Sequence, residues 1–185
     1  MWLFFMQLDQ VEALLKNIEG QYNDYPPVYS WHPEKCGDID IRIDRDGNWY
    51  HESNKFERDA LVQLFSKLLR KEGKDYFLVT PAEKVRITVD CAPLVIISLV
   101  TVGEGEEQDL FFTTNTNEQI HLAQPLKFHT IEYNGQQLPC LPIRNGLSAL
   151  IHRNVYYELA ALVEIDEEEC AYIMSAGSAF YLPEI

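Results

Sequence analysis

The stretch 36-CGDIDIRIDRDGNWYHES-53 decides the fold, because it reads either as an acidic metal-binding segment or as a β-hairpin. Ile39, Ile41 and Ile43 alternate with Asp38, Asp40, Arg42 and Asp44, the period of two of a strand with one face in the core and one in water. The turn DRDG follows at residues 44–47; Gly47 accepts positive φ and aspartates stabilise tight turns, so NWYHES is the returning strand. A calcium loop needs oxygen ligands at its positions 1, 3 and 5, glycine at 6 and glutamate at 12. With Gly47 at position 6, Arg42 falls at 1 and Ser53 at 12, so that register fails at both ends. Asp38 and Asp40 still share a strand face about 6.6 Å apart, two strand rises. A DxD metal site therefore stands as the alternative, opposed by Arg42, which follows on the same face and offers a neutralising charge.

Upstream, QYNDYPPVYSWHPEKCG carries three prolines and predicts irregular extended chain. Before it, Asp9 and Glu12 have capping spacing, and Val11, Leu14, Leu15 and Ile18 form one stripe, which predicts a short amphipathic helix docked on the main body. The opening MWLFFM lacks a basic flank and is far short of the ~20 residues of a bilayer span. The acidic polar face of the helix argues against a membrane-surface role.

Downstream, Asn54 and Glu57 have capping spacing. Leu61, Leu64, Phe65, Leu68 and Leu69 then mark a helix ended by Gly73, with Lys67, Arg70 and Lys71 as a basic strip on its other face. Residues 75–142 read as short strands broken by Pro, Gly and Asn, suited to an antiparallel sheet that curls on itself. Leu147, Leu150, Ile151, Val155, Leu159, Leu162 and Val163 predict a second helix that Asn154 breaks or recaps, and a closing hairpin turns across Ala176 and Gly177. A weak repeat emerges. Strand, Arg42, turn ending in Gly47, helix and the strands DYFLVT and KVRITVD answer to strand, Arg144, turn ending in Gly146, helix and the strands CAYIMS and AFYLP.

The expected fold class is α+β: two related α/β parts formed by internal duplication, with antiparallel sheets each packed by a helix. The expected boundaries are residues 1–82 for the N-terminal part and 83–185 for the C-terminal part. The chain of 185 residues, 46% hydrophobic, is long enough for one substantial core or two small ones. Its 15 basic and 29 acidic residues give a net charge of −14, which repels a phosphate backbone and argues against nucleic acid as a partner. Four cysteines lie far apart without a CxxC pair and are expected as buried, reduced thiols of a cytoplasmic protein.

Catalytic signatures are absent. His32, His51, His121, His129 and His152 show no HxH or HExxH spacing, and Cys36 with His32 sits in no nucleophile signature. No GxSxG elbow, Walker loop or GxGxxG fingerprint occurs. No cofactor is expected, and the protein reads more as a binder than as an enzyme. Glu83 and Lys84, after Thr80 and Pro81, are expected at a turn between two strands, where charges face a neighbour or a ligand.

Together, PPVYSWHPEKCGDIDIRIDRDGNWYHES, LVQLFSKLLRKEGKDYFLVTPAEKVRITVDCAP, FFTTN and LIHRNVYYELA resemble the bacterial domain of unknown function family 1285, from about Pro26 to the C-terminus. The resemblance implies a two-part α+β fold with an internal duplication and a C-terminal part superficially like pleckstrin-homology folds. It also implies a groove between the parts and a role in bacterial signalling, with no established catalysis. The family-like positions are Trp31, Gly37, Asp38, Asp40, Arg42, Trp49, Arg58, Glu83, Lys84, Arg144, Tyr156 and Tyr157; Glu57 and Asn154 depart from the glycine and proline associated with the family. The expected ligand site is Asp38, Asp40, Arg42, Arg58, Glu83, Lys84 and Arg144, a charged groove between the halves for a small polar ligand or a partner peptide. The alternative is a metal-assisted enzyme using Asp38 and Asp40 on phosphate or glycosyl substrates.

Overall fold

A computed structural model describes residues 25–183, so the amphipathic helix expected at residues 9–18 lies outside the described residues. The chain divides into two compact units. The first takes the chain up to Ile43 and then Asn48–Val89; the second takes Asp44–Gly47 and Asp90–Ile185. The four-residue turn of the opening hairpin thus belongs by its packing to the second unit.

In the first unit the strands are β1 (Lys35–Ile43), β2 (Trp49–His51), β3 (Asn54–Lys55), β4 (Leu69–Glu72), β5 (Asp75–Val79) and β6 (Glu83–Val89), with helix α1 (Asp59–Lys67) between β3 and β4. They form one sheet in the order β3-β2-β1-β6-β5-β4. The alternation in β1 holds: Ile41 and Ile43 are buried, Ile39 is half-buried, and Asp38, Asp40 and Arg42 face solvent. The hairpin forms as expected, with Gly47 at φ +78°. Within the turn, the amide of Asp46 donates to Asp44 Oδ1 and that of Gly47 to the Asp44 carbonyl.

The first helix is shorter than its apolar stripe. Asn54 lies in β3, and the N-cap is Arg58, whose side chain makes no capping bond. The helix stops at Leu68, and Leu69–Glu72 turns into a strand paired with β5. Leu68 and Leu69 are both buried, so the stripe served two elements. Arg70, expected on a solvated helix face, is 7% exposed in β4. Its Nη1 donates to the carbonyls of Val28 and Trp31, and its remaining nitrogens bond Glu72, so one guanidinium ties the proline-rich segment to the sheet. Inside, the ring of Trp49 stacks on Phe65 of α1 at 6.2 Å.

In the second unit the strands are β7 (Leu94–Val102), β8 (Asp109–Thr114), β9 (Gln119–His121), β10 (His129–Tyr133), β11 (Gln136–Pro142) and β12 (Ser148–Ile151). Helix α2 (Arg153–Ala160) follows. A small sheet of β13 (Glu164–Ile165), β14 (Ala171–Ser175) and β15 (Ser178–Tyr181) ends the chain, with the predicted turn at Ala176 and Gly177. The large sheet has the order β10-β11-β12-β7-β8-β9. Val155 and Leu159 of α2 pack into its core with Leu94, Ile96, Leu110, Phe112 and Leu141.

Both large sheets are mixed, which corrects the expectation of antiparallel sheets. β1 pairs with β6 in parallel, and β12 pairs with β7 in parallel. Each sheet is two antiparallel meanders of three strands joined at the centre by their first and last strands. Ser148–Ile151, expected as the start of a helix, is instead the central strand, buried along its length. A largely apolar run covered on both faces, here residues 149–151 after the buried Ser148, is what a parallel central strand requires. α2 therefore begins only at Arg153, and Asn154 does not break it: its amide donates to Nδ1 of the N-cap His152. The shared strand order pairs β1–β6 with β7–β12, not with the segments aligned from sequence, and the helix falls after the third strand in one unit and after the sixth in the other.

Candidate functional site

The residues expected to form the site sit on both units. In the first, the parallel register sets Asp38 opposite Arg86, and Arg86 Nε donates to Asp38 Oδ1 at 2.6 Å. The Asp38 carboxylate bonding it holds the Arg86 guanidinium above its ordinary pKa. Both side chains are more than half exposed, so the pair is weakly stabilising at most. They line a cavity of about 510 Å³ with Lys74, Asp75 and Tyr76, polar and open. Asp40 and Arg42 are exposed on β1, and Arg58 is exposed ahead of α1.

Glu83 and Lys84 open β6 and line a second cavity, of about 430 Å³, with Glu34, Lys35 and Cys36. Glu83 is 9% exposed, and its backbone is held by Thr80, whose amide and hydroxyl both donate to the Glu83 carbonyl. Lys84 donates to Glu72 Oε2 at 3.0 Å and lies 4.7 Å from the centre of the Phe77 ring. The Lys84 ammonium and then the Arg70 guanidinium hold the Glu72 carboxyl below its usual range. Lys84 thus belongs to a structural triad with Glu72 and Arg70.

In the second unit, Arg144 faces Glu118, with Nε at 3.2 Å from Oε1 and both side chains mostly covered. This too is a structural pair. Among the described residues, no three His, Cys, Asp or Glu side chains are placed to hold a metal ion. Of the four thiols, Cys91 and Cys140 are buried, but Cys36 and Cys170 are exposed, which corrects half of the expectation for them. Loss of solvation pushes the Cys140 thiol up to about 12, with a further rise from Cys91, and burial raises Cys91 as well.

A third cavity, of about 480 Å³, lies wholly within the second unit. Its floor is apolar, from Val95 of β7, Leu138 and Pro139 of β11, and Leu150 and Ile151 of β12. Its rim is polar: Arg45 and Asp46 of the hairpin turn, Gln137, then His152, Arg153 and Tyr156 around the start of α2. None of the seven expected site residues lines it.

The turn is fixed beside this cavity by one side chain. Asn115 Nδ2 donates to the Gly47 carbonyl at 3.0 Å, while its Oδ1 accepts from the amide of Val95 at 3.0 Å. A Cβ on Gly47 would fall 2.5 Å from Asn115 Nδ2 and 2.9 Å from Val95 Cγ2, so glycine is needed there for space as well as for φ. Arg45 is held over the ring of Tyr133 at 5.9 Å. Arg153 donates from Nε to Tyr157 Oη at 2.9 Å and covers the same ring at 5.4 Å.

Arg45, Gln137, His152 and Arg153 stand in no recognisable motif of the sequence. Arg45 stands between two aspartates and reads as locally neutralised, yet Asp44 spends its carboxylate on the turn. The signal that pointed here was the family-like Tyr156 in the segment LIHRNVYYELA.

Comparison with known proteins extends along most of the chain. Residues 26–92 match the N-terminal domain described as domain of unknown function DUF1285, and residues 93–182 match the DUF1285 C-terminal domain. The crystal structure of a DUF1285 family protein from Silicibacter pomeroyi DSS-3 is similar, at 38% identity over 86% of this chain and 87% of that chain, with a TM-score of 0.77. That of a DUF1285 family protein from Shewanella baltica OS155 shares the fold at 23% identity over 65% of this chain and 90% of that chain, with a TM-score of 0.52. A search of curated proteins gives no match. With both of its domains matched in order and a solved relative at 38% identity, this chain belongs to the DUF1285 family.

Proposed function

We propose that this protein is a binding module whose second unit takes a small molecule in the cavity between the hairpin turn, β11, β12 and the start of α2. The observation that carries the reading is the cavity itself. About 480 Å³ lies within the ~300–1,000 Å³ of small-molecule sites, and an apolar floor under a few converging polar groups is their usual make-up. The charges of the first unit support the same choice, since Asp38 and Lys84 are engaged by Arg86 and Glu72. The metal-assisted reading on Asp38 and Asp40 has no comparable observation in its favour.

The module is cytoplasmic in this reading, where the exposed thiols of Cys36 and Cys170 stay reduced. Among the described residues, no helix is long and apolar enough to cross a membrane. Occupancy of the cavity would be the signal it reports, in keeping with the signalling role that the family resemblance implies. The matching strand order of the two large sheets supports descent by duplication. The pleckstrin-homology-like reading of the C-terminal unit is part of the same proposal and names no ligand.

A thermal-shift screen of metabolites, nucleotides and short peptides tests the reading, with Gln137→Trp as the blocked control, because Gln137 is exposed at the rim. A hit that stabilises the native protein and fails on Gln137→Trp is expected. Hits that stabilise both proteins equally would sink the cavity as the site.

A further inference from the structure

We infer that the ligand of the second-unit cavity is an organic anion: a carboxylate, phosphate or sulfonate carried on an apolar body. This rests on the reading of that cavity as a binding site. Two guanidiniums, Arg45 and Arg153, line it against one carboxylate, Asp46. In a chain with 29 acidic and 15 basic residues, arginines ordinarily find carboxylates, as Arg70, Arg86 and Arg144 do here. Arg45 and Arg153 instead rest on aromatic partners, Tyr133 and Tyr157. Arg153 spends its Nε on Tyr157 Oη, and a guanidinium resting on an aromatic ring keeps its outer Nη donors for a planar or tetrahedral anion, which takes them two at a time.

His152 adds a third donor. Its Nδ1 accepts from the Asn154 amide at 3.3 Å, which places the ring proton on Nε2. The start of α2 at the same rim adds a partial positive charge. Asp46 suits a hydroxyl or amide hydrogen elsewhere on the ligand. Below the rim, Val95, Leu138 and Leu150 offer no polar group, so an inorganic anion alone leaves most of the cavity unfilled.

Isothermal titration of the full chain with phenyl phosphate, octanoate, inorganic phosphate, octanol and octylamine tests this. Arg45→Gln and Arg153→Gln replace exposed side chains, and their circular dichroism and melting should match the native protein. Phenyl phosphate and octanoate should bind, at least tenfold more tightly than inorganic phosphate or octylamine, and each Arg→Gln change should weaken them at least tenfold while leaving octanol unchanged. If octanol or octylamine binds as tightly as octanoate, and neither arginine matters, the anion is overturned while the cavity stands. If no organic probe binds at millimolar concentration, or binding ignores Gln137→Trp, the cavity reading fails and the anion with it.

Discussion

Gly47→Ala is the substitution through which the docking of the hairpin turn is most open to measurement. At φ +78° an alanine costs about 1–2 kcal/mol relative to glycine. Its Cβ would also lie 2.5 Å from Asn115 Nδ2, so the Asn115 side chain must swing away. That movement forfeits the bonds from Asn115 to the Gly47 carbonyl and from the Val95 amide to Asn115, at about 1 kcal/mol each. The sum is about 3–4 kcal/mol, read from urea unfolding midpoints with an unchanged m-value. Asn115→Ala removes the same two bonds and also the nearer of the two atoms that the Cβ meets. In that background Gly47→Ala should keep the conformational cost of about 1–2 kcal/mol and the contact with Val95 Cγ2, both common to the two backgrounds, leaving a coupling of about 2 kcal/mol in the double-mutant cycle. Costs additive within about 0.5 kcal/mol would mean that Gly47 and Asn115 do not share the contact, and the docking of the turn through Asn115 would be wrong.

Other outcomes follow from the same geometry. Arg70→Met should destabilise the first unit by about 3–5 kcal/mol, since two backbone carbonyls lose a charged donor, whereas Arg86→Ala, on an exposed pair, should change stability by less than about 0.5 kcal/mol; parallel denaturation curves compare them. Arg144→Ala should cost about 2–3 kcal/mol in stability and leave ligand affinity at the second-unit cavity unchanged, which titration of the variant checks. Folding raises the Cys140 thiol to about 12, so above the unfolded pKa, near 9, the unfolded chain sheds a proton that the folded one keeps. Stability attributable to this group therefore falls by ~1.4 kcal/mol per pH unit from about pH 9 towards 12. Cys140→Ala should flatten that slope in urea midpoints taken from pH 8 to 11. In the native protein Cys36 and Cys170 should react with a thiol reagent at once, and Cys91 and Cys140 only as the chain unfolds.

The hairpin was legible because its information is local. The alternation of Ile39, Ile41 and Ile43 and the turn at Gly47 depend on neighbours a few residues away, and both appear in the structure. The closing hairpin at Ala176 and Gly177 was legible for the same reason. What escaped the sequence was long-range pairing. A period of two marks Lys35–Ile43 as a strand but is silent on whether its neighbour runs parallel, so the partner of Asp38 could not be read as Arg86. Leu68, Leu69 and the run Ser148–Ile151 fit a helical stripe and a buried strand equally well, and burial on both faces decided for the strand at Ser148–Ile151.

The charged residues were conspicuous in the sequence for a similar reason. Asp38, Lys84 and Arg144 stand out as charges, yet their partners Arg86, Glu72 and Glu118 lie 48, 12 and 26 residues away. The cavity is the reverse case. Its floor comes from β7, β11 and β12 and its rim from the first hairpin turn and α2, so no window of the sequence contains it. Arg45 is the instructive residue: its aspartate neighbours hide its charge on paper, and the fold sets it over Tyr133 instead.

A titration of isotope-labelled protein with phenyl phosphate, followed by NMR, distinguishes binding in the second-unit cavity from binding at the charges of the first unit. The side-chain Nε–H signals of Arg45 and Arg153 and the amides of Leu138, Leu150 and Tyr156 should shift together along one saturating curve. Shifts confined to the neighbours of Asp38, Glu83 and Lys84 in the first unit, with the Arg45 and Arg153 signals unmoved, would contradict it.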